Sequence, residues 1–91
     1  MSEDDELSKE QLRARLELLE ALIVAAQRRA DVFGIVDTSD TPEDAHHRLV
    51  ELLALSQAGA TAVLNTPIRR LTRSEQDRIQ VERDRIRARL W

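Results

Sequence analysis

Cysteine and tyrosine are absent from this 91-residue chain, glycine and proline occur twice each, and Phe33 and Trp91 are the only aromatic residues. Each shortage excludes something. Without cysteine there is no disulfide, thiolate metal site or thiol nucleophile, which agrees with a reducing cytoplasm as the expected location. With so few bulky aromatic residues a sheet would have little to pack, so the expected fold class is all-α. No apolar run approaches the eighteen or so residues of a membrane span, and the acidic N-terminus is unlike a signal peptide. A soluble protein with no membrane partner is expected. Gly34 and Gly59 are isolated, so no glycine-rich phosphate loop exists. His46 and His47 are adjacent and point about 100° apart on a helix. They cannot grip one metal ion, and neither a metal nor any other cofactor is expected.

What is present is helical periodicity. Leu12, Leu16, Leu19, Ile23, Ala26, Ala30 and Phe33 alternate steps of four and three residues, the spacing of a coiled-coil seam. Beside them run Leu18, Leu22, Ala25, Val32 and Val36, so about half the helix circumference is apolar and the helix must serve two partners. Ser8 with Gln11 forms a capping-box pattern, and a spine from there to about Val36 would be roughly 40 Å long. The rest of the chain is short enough that it must pack along this spine. Residues 8–91 therefore make a single helical domain, preceded by an acidic, disordered segment over residues 1–7.

The later elements announce themselves by their caps. Asp37 to Asp40 compete for backbone hydrogen bonds and end the spine. Thr41-Pro42-Glu43-Asp44 then combines an N-cap, a proline at the first helical position and two carboxylates at the positive end of the dipole. Ala45, Leu49, Leu52 and Leu53 form one face of a short helix expected to end near Leu55. Ser56 caps a third helix rich in small residues, and Pro67 should break it between Asn65 and Ile68. Thr72 and Glu75 make a second capping-box pattern before a last helix to about Leu90, with Ile79, Ile86 and Leu90 on one side.

Charge is uneven although the net is only −3. Residues 1–10 sum to −4, from five acids against Lys9; residues 69–91 sum to +4, from eight arginines against four acids. A last helix folded back antiparallel on the first brings these ends together as a closed hairpin. The competing reading makes Arg78, Arg83, Arg85, Arg87 and Arg89 a nucleic-acid contact. The interleaved carboxylates weaken it, so DNA is not expected to bind the chain by itself.

The order of elements and several literal strings resemble the coiled-coil and tail-gate dimerisation region found in the A subunits of DNA gyrase and topoisomerase IV. The likeness runs ungapped from Leu18 to Ala45, through L-L-E-A-L-I-V-A-A and T-P-E-D-A. It resumes at Ala62-Val63-Leu64 and Ile68-Arg69-Arg70-Leu71-Thr72, followed by Glu75, Arg78 and Ile79. About three quarters of the chain is covered. The resemblance implies an antiparallel coiled-coil stalk made by the long first helix and the last helix, with short helices at its tip that meet their twins in a second copy. Arg73-Ser74 in place of the family's Gly-Leu, and the interruption at Thr66-Pro67, imply a tip geometry of its own.

Function follows as an expectation. Gyrase cleavage uses a tyrosine nucleophile, which this chain lacks, so the resemblance implies a stand-alone, non-catalytic dimerisation module. The expected homodimer contacts are Leu49, Leu52, Leu53, Val63, Leu64 and Ile68. A variant is capture of a gyrase A subunit through the same tip. The enzymatic rival is a small helical chorismate mutase, suggested by Leu12-Arg13 at the start of a long first helix. Such a site needs several cations, normally with a lysine, and Lys9 is the sole lysine.

Overall fold

The computed structural model describes residues 8–91, so the acidic segment 1–7 lies outside the described residues. Within them five helices follow one another: α1 (Lys9–Gln27), α2 (Arg29–Asp37), α3 (Pro42–Leu53), α4 (Gln57–Leu64) and α5 (Arg73–Leu90), with a 3-10 turn at Ile68–Leu71 before α5. There is no strand among the described residues. Both halves of the Ser8 capping box form: the Gln11 amide donates to the serine hydroxyl at 3.1 Å, and the Ser8 amide donates to the Gln11 side chain at 2.9 Å.

α1 and α5 are the stalk. Leu12, Leu16, Leu19 and Ile23 of α1 are buried against Ile79 and Ile86 of α5, with Leu90 packed at the edge. Two ion pairs flank this seam, Arg15 with Glu82 and Arg87 with Glu20, the second at 2.8 Å. Arg15 and Glu82 each precede a seam position, whereas Glu20 and Arg87 each follow one. Like-with-like pairing of flanking positions is the signature of antiparallel helices, since a parallel pair would join a preceding position to a following one. The register that satisfies both pairs opposes Leu12 to Leu90, Leu16 to Ile86, Leu19 to Arg83 and Ile23 to Ile79.

Arg83 thus occupies a seam position. Its side chain is only 23% exposed, and its Nε turns to Asp84 on its own helix at 3.0 Å. Arg83→Leu is therefore expected to stabilise the fold by about 1 kcal/mol, because leucine would bury fully what arginine buries along its stem. Thermal unfolding checks it: an unchanged or lower melting temperature would place residue 83 off the seam.

The expected unbroken spine is corrected at Arg28, whose φ of −116° and ψ of 39° separate α1 from α2. Ala26 opposes Gln76, close to where α5 begins, so beyond it the seam has no partner. The chain turns instead toward the tip. Val32 and Ile35 are buried there, while Ala30 and Phe33, expected on the seam, are exposed.

α3 begins as its sequence requires: Thr41 Oγ1 accepts from the Asp44 amide at 3.0 Å with Pro42 at the first position. It ends at Leu53 rather than near Leu55, because Ala54 adopts a left-handed conformation with φ of 54° that turns the chain and buries Leu55. Ser56 caps α4 through the Gly59 amide at 2.9 Å. Gly59 and Ala60 then let α4 lie close on α1, and a Cβ at Gly59 would stand 2.8 Å from the Ala21 Cβ. Ala21, Ala25, Leu49, Leu53, Ala60 and Val63 belong to the tip core, and Leu22 packs against both this core and the stalk.

The break at Pro67 forms where proline demands it. α4 ends at Leu64 and Pro67 is extended, at φ −63° and ψ 144°. Thr72 does precede α5, but the second capping box does not form. Its hydroxyl donates to the Arg69 carbonyl at 3.0 Å, an acceptor that the preceding 3-10 turn brings within reach. Glu75 instead faces Arg78 at 3.6 Å.

Candidate functional site

A helical tip can act only through what it leaves exposed. Of the six residues expected to make a dimer contact, Leu49 is 0% exposed, and Leu53 and Val63 are buried with it in the chain's own core. These three hold the tip together from inside. Leu64 is half-buried, whereas Leu52 and Ile68 are 57% and 73% exposed. The structure separates these two. Leu52 stands beside Ala30 and Gly34 on one flank of α2, and Ile68 lies beside Phe33 on the other.

Sequence reading missed Phe33 and Val36, which are 48% and 42% exposed. Val36 and Leu64 line an open groove of about 780 Å³, rimmed by Asp40, Glu43 and His46. Phe33 and Ile68 line a second hollow with Leu22, Val63 and Leu71. Phe33 and Val36 of α2, Leu64 of α4 and Ile68 of the 3-10 turn thus form a strip of exposed or half-buried apolar residues that borders the two hollows. No described residue covers its outer side.

Arg48 fixes the α2 end of this strip. From α3 its guanidinium donates to Thr38 Oγ1 at 3.0 Å, Ser39 Oγ at 3.1 Å and the Ile35 carbonyl at 3.4 Å. A cation at the C-terminus of α2 also meets the negative end of its dipole. His46 ties the other side, its Nε2 standing 2.9 Å from the Gln57 carbonyl and 3.1 Å from Thr61 Oγ1. His47 points away to Glu51 at 3.3 Å. The histidines diverge, and no group of three histidine or acidic side chains among the described residues could hold a metal ion.

The arginines of α5 are not a free basic row. Arg78 faces Glu75, Arg83 pairs with Asp84 and Arg87 reaches across the stalk to Glu20, while Arg85 and Arg89 are engaged as well. Such pairing lowers the net charge that this face offers to phosphates. Binding of a short duplex at physiological salt is expected to be undetectable by fluorescence anisotropy, and tight binding that fell steeply with salt would show the opposite. No helix among the described residues is long and apolar enough to cross a membrane.

The chain is similar to known proteins over nearly all its length. The family model for the DNA gyrase/topoisomerase IV A subunit matches residues 1–90. The DNA gyrase A subunit of Streptococcus pneumoniae is 36% identical over 80 residues, which are 88% of this chain and 10% of that protein. Its counterpart in Helicobacter pylori is 33% identical over 73 residues, 80% of this chain and 9% of that protein. That of Streptococcus pyogenes is 35% identical over 80 residues, again 88% and 10%. The chain spans about a tenth of the length of the curated relatives it matches.

Proposed function

The chain belongs to the DNA gyrase/topoisomerase IV A-subunit family, and on that premise we propose that it is a non-catalytic self-association module, a stalk that presents an adhesive tip. The observation that carries this reading is the uncovered strip of Phe33, Val36, Leu64 and Ile68. Apolar side chains gathered on one face, rather than scattered, favour burial against another protein. A second copy is the simplest partner because one face then serves both chains. The chain has no tyrosine or cysteine to act as a nucleophile, which supports a role in holding rather than cutting. The module is read as cytoplasmic.

Light scattering tests it. A mass of two chains that persists into the low micromolar range is expected, and a mass of one chain up to millimolar concentration would overturn self-association. The identity with gyrase A subunits over most of this chain favours one further reading, in which the same tip captures such a protein in place of a twin. Mixing the chain with the matching region of a gyrase A subunit distinguishes the two. A mixed dimer formed at the expense of both homodimers is the outcome that capture requires.

A further inference from the structure

We propose that the second copy docks with its α2 antiparallel to α2 of the first, crossing near Phe33, so that Arg29 of each chain faces Asp37 of the other. This rests on the self-association reading and adds to it an orientation and a source of specificity. The two end residues of α2 carry charges opposed to its dipole, which Asp31 in the first turn and Arg48 beyond the last offset only in part. Its first residue is Arg29, at the positive end of the helix dipole, and its last is Asp37, at the negative end. Each placement disfavours the isolated helix. Arg29 Nε reaches only the Ala26 carbonyl at 3.2 Å, and Asp37 is exposed.

An antiparallel twin removes the conflict. It sets each positive helix end beside the partner's negative end and, with the crossing at Phe33, places residue 29 opposite residue 37 twice over by symmetry. Asp40 and Glu43 lie beyond Asp37 at the edge of the apolar groove and extend the acidic end, whereas Arg28 is paired with Asp31 at 3.0 Å and leaves Arg29 as the cation of the other end. The face between them already carries the exposed Phe33 and Val36.

Charge exchange tests the orientation. Arg29→Glu and Asp37→Lys each suit the dipole of α2, so both variants should fold at least as well as the parent by circular dichroism. In sedimentation equilibrium each variant alone should dimerise about tenfold or more weakly, because both cross-pairs become like-charged. A one-to-one mixture should recover parental affinity as a heterodimer, since both cross-pairs are again opposite in sign. A parental dimer whose charge variants associate unchanged, or whose mixture gains nothing, would overturn the orientation and leave self-association standing. A parental chain that is monomeric throughout would overturn both.

Discussion

Gly59→Val is expected to lower stability by about 2–3 kcal/mol, the cost of forcing added carbon into a filled interface. The added Cβ would meet the Ala21 Cβ at 2.8 Å and the Ser56 hydroxyl at 3.0 Å. Alanine has no flexible end to move aside. The hydroxyl is the N-cap of α4, so displacing it also endangers the 2.9 Å bond to the Gly59 amide. For a domain of this size such a loss lowers the melting temperature by roughly 10–20 °C. An unchanged melting temperature would mean that α4 and α1 can separate freely, and that the tip is not clamped to the stalk where Gly59 meets Ala21.

The second large effect is on association. Phe33→Asp combined with Ile68→Asp should weaken the dimer by about a hundredfold or more while leaving the helical circular dichroism spectrum unchanged. Ile68 is largely exposed, Phe33 is about half exposed, and neither belongs to the tip core, so the changes leave core packing in place. In a dimer they would place charges inside an apolar contact without designated partners. Leu18 and Val81 are exposed large apolar residues too, at 37% and 58%. They lie on the stalk, away from the strip, and Leu18→Asp with Val81→Asp should leave the dimer in place. Equal weakening by the two double variants would move the contact to the stalk.

Most of the fold was legible because its signals are local. Ser8, Thr41, Ser56 and Pro67 act on amides within a turn of themselves, so their caps and breaks could be read from neighbours alone. The stalk seam from Leu12 to Ala26 was legible for a related reason, since three- and four-residue spacing fixes a face without knowledge of what covers it. The break at Arg28 depends on where α5 begins, some forty-five residues later in the chain. Its consequence was to expose Phe33, which periodicity alone assigns to the seam.

The candidate surface was therefore only half visible. Leu49, Leu52 and Leu53 looked like one face, but Leu52 and Leu53 are about 100° apart on α3 and only the latter turns inward. Thr72 shows the same limit on a smaller scale. Its sequence pattern is that of a capping box, yet its hydroxyl is turned back to donate to the Arg69 carbonyl of the 3-10 turn and accepts from no amide of α5. Residue type and spacing do not report the backbone geometry that decides which way a hydroxyl turns.

The measurement that tests the tip most directly is an isotope-filtered nuclear Overhauser experiment on a dimer mixed from carbon-13-labelled and unlabelled chains. It reports only contacts between two copies. The expected result is intermolecular cross-peaks among the Phe33 ring and the methyl groups of Val36, Leu64 and Ile68, with none to Leu18 or Val81. Intermolecular cross-peaks confined to the stalk would contradict the adhesive tip, as would their absence at a concentration where the mass is that of two chains.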